Sequence, residues 1–139
     1  MDQPVNVVHS RKLRVALGDV DAARVIYFPA VFRWHEYNFS EWLALRYKPL
    51  SELLASGFGL PVVNCSATYT TSIRQDDVVR LDSWVADVGE SSFTFGTSVL
   101  SGDDTASTVE TRHVWVKIAH DGTFASAGLP PELRGEMAG

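Results

Sequence analysis

With 139 residues, 45% of them hydrophobic and 21% charged, this chain has the size and composition of one globular domain with a buried core. Its net charge of −5 argues against a nucleic-acid-binding surface, and its single cysteine excludes an internal disulfide or a cysteine-based zinc site. No apolar run is long enough to cross a bilayer and the amino terminus lacks a signal-peptide core, so we expect a cytoplasmic protein without membrane contacts.

The first half of the chain predicts a strand, a connection and a long helix. Apolar and polar residues alternate along 5–17, which is typical of a strand. A connection over 18–28 leads into a helix from about Pro29 to Tyr47, and proline is favoured at a first helical position. This helix is apolar around most of its circumference, which predicts that it is buried.

The second half of the chain predicts an antiparallel sheet. A short helical segment near 50–56 comes first, and four alternating runs follow at 62–73, 78–88, 92–100 and 107–119. The separators are short and rich in turn residues, which favours hairpins. We therefore predict a single α+β domain over 1–139, in which one long helix packs on a curved antiparallel sheet and residues 128–139 form a loosely attached tail.

Asp21 lies in the connection just ahead of the long helix. A helix start carries unpaired N–H groups and a partial positive charge, so it can stabilise an oxyanion. A carboxylate aimed at the same spot can act as nucleophile or general base. Asp21 can also be a turn or capping residue, and Asp19 is interpreted as structural. The pair has no third ligand at a useful spacing, so we expect no metal.

Three segments carry a family resemblance. They are Gly18-Asp19-Val20-Asp21, Val25-Ile26-Tyr27-Phe28-Pro29 and Gly59-Leu60-Pro61-Val62-Val63. In this order they resemble the 4-hydroxybenzoyl-CoA thioesterase branch of the hotdog-fold acyl-CoA thioesterases, and the similar 1,4-dihydroxy-2-naphthoyl-CoA hydrolases share most of them. The resemblance implies a hotdog fold, a long central helix wrapped by the sheet, and homodimers that often pair again into tetramers.

The resemblance also implies roles for individual residues. Asp21 would attack the thioester carbonyl carbon or activate the attacking water, and the backbone N–H near Phe28 would polarise the carbonyl. Glu36 stands where the family has a helix carboxylate that helps to define the acyl pocket, although it can equally be a solvated partner of Arg33. Tyr27, Trp34 and Leu60 are the other residues that we predict at the substrate. No cofactor is implied.

The sequence departs from the family pattern at two places. Arg24 stands where the family usually has glycine, and Gly89-Glu90-Ser91-Ser92 replaces a basic cluster that holds the nucleotide end of coenzyme A. Arg112 and Lys117 on the last predicted strand are therefore candidates to meet the phosphates of coenzyme A.

Three further side chains are interpreted as packing groups. His35 adjoins an apolar stripe of the helix, and His113 shares a strand face with Trp115. Cys65 lies among small residues and has no activating neighbour in the sequence, so we expect an inert thiol.

These residues predict an acyl-CoA thioesterase that hydrolyses an aromatic or hydroxyaryl acyl-CoA, of the 4-hydroxybenzoyl or 1,4-dihydroxy-2-naphthoyl type, to the free acid and coenzyme A. One alternative is a thioesterase for a polyketide or fatty acyl group on an acyl-carrier protein, and another is a non-catalytic acyl-thioester-binding module. A hotdog dehydratase would need a histidine paired with an acid, and no histidine lies between Ser10 and Trp34.

Overall fold

The structure, a computed structural model, describes residues 6–138. In chain order its elements are β1 (His9–Arg14), α1 (Ala30–Arg46), α2 (Leu50–Ala55), β2 (Phe58–Gly59), β3 (Val62–Tyr69), β4 (Val78–Ala86), β5 (Ser92–Ser101), β6 (Asp104–Val114), β7 (Val116–Ile118), β8 (Phe124–Ser126) and α3 (Pro131–Glu136). Val5 and Gly139, at the limits of the predicted first strand and tail, lie outside the described residues. Over 6–138 no helix is both long and apolar enough to cross a membrane.

Five strands form an antiparallel sheet in the order β1-β4-β5-β6-β3, and three short strands form a second sheet in the order β2-β7-β8. The prediction of an α+β domain with one long helix and an antiparallel sheet is confirmed. The predicted strand 107–119 is divided at Trp115, whose N–H turns away to the Ser91 carbonyl, so its two parts belong to different sheets. β3 forms one edge of the large sheet.

Helix α1 packs against the inner face of the large sheet and contacts two groups of buried apolar residues. Its amino-terminal half lies in the aliphatic cluster, formed by Val15, Ala30, Val31, Trp34, Ile73, Val79, Leu81, Val99, Ala106 and Val109. Its carboxy-terminal half lies in the aromatic cluster, which contains Phe39, Trp42, Leu43, Phe93, Phe95, Trp115, Leu129, Leu133 and Met137. These two clusters bury one face of the helix, whereas Glu36, Tyr37, Glu41 and Leu45 on its other face are exposed, so the prediction of a helix buried around most of its circumference holds for one face only.

The carboxy-terminal segment is part of the core, so the predicted loose tail is wrong. Leu129, Leu133 and Met137 are buried in the aromatic cluster. The spacing of four residues places all three on one face around α3, which buries them together. The Arg134 guanidinium also donates to the Gly89 and Glu90 carbonyls, both at 3.0 Å, so the segment is tied to the β4–β5 loop.

On the outer face of the large sheet, the indole of Trp84 lies over Gly96, its direct partner across β4 and β5. A Cβ atom at position 96 would stand 2.3 Å from the indole carbons. Only glycine leaves room for the ring in this arrangement.

Candidate active site

The connection between β1 and α1 folds into a small antiparallel hairpin. Val20 pairs with Ile26 across it, and the Asp21 N–H donates to the Val25 carbonyl at 3.0 Å. The Arg24 N–H donates to the Asp21 carbonyl at 2.9 Å and closes a turn. Asp21 therefore lies at the hairpin tip, and the other end of the hairpin leads into the first turn of α1.

Asp19 holds this hairpin from within. Its buried carboxylate accepts hydrogen bonds from the Arg33 guanidinium on α1 and from the Ala16 N–H, the latter at 3.0 Å. Its carbonyl accepts from the Tyr27 N–H at 2.7 Å. This aspartate is occupied by the loop and the helix, in keeping with the structural role predicted for it.

Asp21, in contrast, is exposed. Its Oδ1 accepts a hydrogen bond from the Ala23 N–H at 2.8 Å, which orients the carboxylate. Among residues 6–138 no donor reaches its Oδ2. One oxygen is thus held by the turn and the other is open to a ligand.

Arg24 has a φ of 65°, the left-handed conformation that glycine adopts most readily. The hairpin therefore follows the backbone path expected of a glycine at this position, although the residue is arginine.

Phe28 lies where the hairpin meets α1 and is exposed. Its carbonyl accepts a hydrogen bond from the hydroxyl of Tyr69 at the end of β3. Burial raises the pKa of Tyr69, so this hydroxyl remains a donor at neutral pH. Within the described part of the chain the Phe28 N–H donates to no acceptor, so it is a free donor at the helix start.

Glu36 lines an apolar cavity of about 250 Å³ between α1 and the edge of the sheet. The other lining residues are Phe32, His35, Phe39, Val62, Cys65, Thr111 and His113. The Glu36 carboxylate accepts from the Ser40 hydroxyl at 2.6 Å and is otherwise exposed. Cys65 is exposed rather than packed, so the expectation of a packing thiol is wrong.

A second cavity, of about 280 Å³, lies between the hairpin and the end of β3. Its walls are Val25, Ile26 and the run 69–73. The Ile26 N–H donates to the Ile73 carbonyl at 2.9 Å, which fixes the hairpin against this run. Both cavities and the Tyr69 anchor therefore lie along β3, whose other edge has no strand partner among residues 6–138.

The structure separates the other predicted substrate residues. Tyr27 is exposed, with its ring centroid 5.3 Å from that of Phe28, beside the hairpin. Trp34 is only 1% exposed and packs inside the aliphatic cluster, so the structure does not bring it to the wall of either cavity. Leu60 is also buried, and its carbonyl accepts from His113 Nδ1 at 3.0 Å.

Arg112 and Lys117 lie on different sheets. The Arg112 guanidinium donates to the Asp87 carbonyl at 2.7 Å, the Ser92 hydroxyl at 2.6 Å and the Thr94 hydroxyl at 3.1 Å. It is therefore engaged in holding the β4–β5 loop. Lys117 is exposed on β7.

A row of buried polar side chains crosses the core between the two apolar clusters. We call it the polar row; its members are Asn38, Ser83, Thr97, His35, Thr111 and His113. The sequence does not predict this row, although β4, β5 and β6 each contain buried polar residues among apolar ones. Burial lowers the pKa of His35 to about 3, with a smaller contribution from His113, and burial also lowers the pKa of His113.

Within residues 6–138 no three histidine, cysteine or acidic side chains are grouped as metal ligands. The site's potential chemistry is therefore that of an oriented carboxylate, a free backbone donor at a helix start, and neighbouring apolar cavities.

A family model described as the thioesterase-like superfamily matches residues 15–136. A 1,4-dihydroxy-2-naphthoyl-CoA hydrolase of Prochlorococcus marinus (strain NATL1A) is similar to the chain at 28% identity, over 72% of this chain and 72% of the relative.

Two solved structures have similar folds. A 1,4-dihydroxy-2-naphthoyl-CoA thioesterase from Synechocystis gives a TM-score of 0.83 at 19% identity, covering 93% of this chain and 94% of its own. The dynemicin thioesterase, crystallised in a study of polyene binding, gives 0.84 at 16% identity with the same coverage of 93% and 94%. At such low identity these likenesses establish the fold, and the hotdog fold expected from the sequence is confirmed.

Proposed function

The chain belongs to the thioesterase-like superfamily and is a thioester hydrolase, and on that premise we propose that it cleaves an aryl or hydroxyaryl acyl-CoA to the free acid and coenzyme A. The observation that carries the proposal is the hairpin itself. It presents the open oxygen of Asp21 at its tip and the free N–H of Phe28 at its junction with α1.

In the proposed reaction the Phe28 N–H polarises the thioester carbonyl, assisted by the partial positive charge of the helix start. Asp21 either attacks the carbonyl carbon, expelling the thiolate and leaving an anhydride for water to hydrolyse, or removes a proton from the attacking water. A thioester is already electrophilic, so placement of these two groups supplies much of the catalysis.

An aromatic acyl group is supported by the cavity beside Glu36. Its walls include the rings of Phe32 and Phe39, which suit a flat apolar group. The exposed Glu36 carboxylate at this cavity can accept a hydrogen bond from a ring hydroxyl. The relative from Prochlorococcus marinus bears the name of a hydrolase for such a hydroxyaryl thioester.

We also propose a homodimer, pairing into a dimer of dimers, as the active form. β3 is an unpaired edge within the described residues, and Val62, Val63 and Tyr69 are 50%, 60% and 43% exposed. An exposed apolar edge strand favours pairing with a second strand. A second copy there would border both cavities, so each site would be completed at the interface. Light scattering at assay concentration checks this, and a fully active monomer would contradict it.

A carrier-protein thioester is the second candidate, and one observation favours it. Arg112 and Arg134 donate to groups of the β4–β5 loop, so this loop offers few cations to coenzyme A phosphates. Lys117 on β7 remains our candidate for a phosphate contact. The structurally similar dynemicin thioesterase is associated with a polyene rather than an aryl group.

The test is thiol release from a panel of aryl, hydroxyaryl and fatty acyl groups, each carried on coenzyme A and on an acyl-carrier protein. We expect steady release from the aryl and hydroxyaryl CoA thioesters. Asp21→Asn should lower kcat at least about a hundredfold without loss of folding, as expected on removal of a positioned nucleophile or base.

Asp103→Asn is the matched control, because Asp103 is an exposed aspartate in the β5–β6 turn. It should leave kcat unchanged. An Asp21→Asn variant within a few-fold of wild type would refute the mechanism, and tight binding without thiol release would indicate a binding module. Much faster cleavage of the carrier-bound series would favour the second candidate.

A further inference from the structure

In each hydrogen bond of the polar row, only one of the two groups can be the donor when both imidazoles are neutral. The Leu60 carbonyl can only accept, so His113 Nδ1 carries a proton and donates to it at 3.0 Å. In the neutral ring Nε2 is then an acceptor, and it receives the Thr111 hydroxyl proton at 2.8 Å. With its proton used, the Thr111 oxygen accepts from His35 Nε2, also at 2.8 Å.

The order of donors and acceptors continues across the sheet. With its proton on Nε2, neutral His35 accepts at Nδ1 from the Thr97 hydroxyl at 2.7 Å. Thr97 in turn accepts from the Ser83 hydroxyl at 2.8 Å, and Ser83 accepts from Asn38 Nδ2 at 2.9 Å. The second proton on Asn38 Nδ2 goes to the Leu81 carbonyl at 3.1 Å. Every hydroxyl and imidazole of the row donates once, and the two imidazoles are opposite neutral tautomers.

The polar row also ties α1 to the sheet. His35 and Asn38 come from the helix, and their partners come from β4, β5 and β6. His35 is two helical turns beyond Phe28, whose free N–H the proposed reaction uses. The row therefore fixes the position of the helix that begins two residues after Phe28, whose N–H is the proposed oxyanion donor. His113 is fixed further by stacking on Phe39, with centroids 4.3 Å apart and planes 11° apart.

We propose that His35 and His113 are positioning residues for thioester cleavage. They act only when both imidazoles are neutral and carry their protons on opposite ring nitrogens. Protonation of either imidazole reverses the order of donors and acceptors in the polar row and loosens the attachment of α1 to the sheet. This rests on the proposed function for its catalytic consequence, but the tautomers and the acid sensitivity are properties of the fold alone.

Few ionisable groups surround the two imidazoles. Each faces the other, and Glu36 from α1 and Cys65 from β3 line the same cavity. β4 and β5 contribute the hydroxyls of Ser83 and Thr97. None of these contacts pairs an imidazole with a carboxylate, so protonation gains no compensating ion pair.

The sign of the pH effect follows from the lowered pKa values. The folded state resists protonation of His35 between its ordinary pKa of 6.5 and about 3, whereas the unfolded chain accepts the proton. Stability therefore falls as the pH drops below 6.5. The unfolding equilibrium constant should rise about tenfold per pH unit for each histidine that stays neutral in the folded state.

The first test is nitrogen-15 NMR of the imidazoles in the wild-type protein near pH 7. We expect the proton on Nε2 in His35 and on Nδ1 in His113, with signals assigned by their loss in His35→Gln and His113→Gln. The reversed tautomer at either ring, or protonation of His35 near pH 6.5 in the folded protein, would overturn the proposal.

The second test uses His35→Gln, since glutamine keeps one donor and one acceptor without ionising near neutral pH. It should remove one tenfold rise per pH unit from the acid dependence of the unfolding constant, and move the acid loss of kcat, measured relative to the variant's own value near pH 7, to lower pH. His35→Leu, which removes the acceptor of the Thr97 hydroxyl proton and the N–H that donates to Thr111, should lower kcat. An acid profile identical in wild type and His35→Gln would contradict the proposal. Failure of Asp21→Asn to reduce activity would remove the proposed reaction and leave these spectroscopic and stability results standing.

Discussion

The two halves of α1 perform different tasks. The amino-terminal half rests on the aliphatic cluster and joins the hairpin that bears Asp21, where several groups are exposed. The carboxy-terminal half rests on the aromatic cluster, to which α3 also contributes Leu133. Between them lies the polar row. The groups proposed for catalysis and the groups that form the core thus lie at different halves of one helix. Substitutions near the first half should lower kcat, and substitutions near the second half should lower the free energy of unfolding.

Leu133→Ala should have the largest effect on stability, and it tests whether the second half of α1 contributes to stability without affecting kcat. Leu133 is fully buried in the aromatic cluster, and truncation of such a leucine costs about 2–5 kcal/mol. Urea unfolding should show the loss, while kcat per folded molecule stays unchanged. Glu132→Ala, at an exposed neighbour, should change stability by less than about 0.5 kcal/mol. Equal effects from both variants would mean that α3 does not pack as described.

Asp19→Asn should have an intermediate effect at the other half of the helix. It removes the charge that the Arg33 guanidinium contacts and disturbs the bond from the Ala16 N–H, which we expect to cost about 1–3 kcal/mol. Because the hairpin positions Asp21, kcat should also fall, though far less than in Asp21→Asn. Thermal unfolding and thiol release measured on the same samples check this. A larger kcat loss than for Asp21→Asn would reverse the assignment of the two aspartates.

Arg24→Gly should have the smallest effect and should stabilise the protein. Arg24 has a φ of 65°, so glycine relieves backbone strain by about 0.5–1 kcal/mol. Asp76→Gly is the comparison, because Asp76 also has a positive φ of 72° but aspartate tolerates that conformation better than arginine. A rise in the unfolding midpoint for Arg24→Gly that exceeds that of Asp76→Gly supports the description, and a fall would contradict it.

The main elements of this fold could be predicted from local patterns. The helix expected from Pro29 to Tyr47 is Ala30–Arg46, because its apolar residues and the proline at its start are both local signals. The division of the last strand at Trp115 was not predicted, because only pairing with β2 and β8 separates the two parts.

The position of the carboxy-terminal segment also could not be predicted from local patterns. Pro130-Pro131 indicates a break in local terms, and only the tertiary contact with the aromatic cluster makes Leu133 a core residue.

Part of the candidate site could be predicted because its residues lie in elements that have local sequence signals. Asp21 and Phe28 lie in the predicted connection, and Glu36 lies on the predicted helix. The burial of Trp34 cannot be predicted from the sequence, because residue type does not reveal which side of an apolar helix meets the core. The polar row depends on register, since Ser83 faces Thr97 only after β4 and β5 have paired.

The contact between Trp84 and Gly96 has a consequence for how this sequence can diverge. Any side chain at position 96 collides with the indole, whereas glycine there is compatible with smaller residues at position 84. The order of replacement is therefore constrained: the indole at position 84 must be lost or turned aside before position 96 can gain a side chain. Homologues with a residue larger than glycine at position 96 should have a smaller side chain, or a differently oriented ring, at position 84.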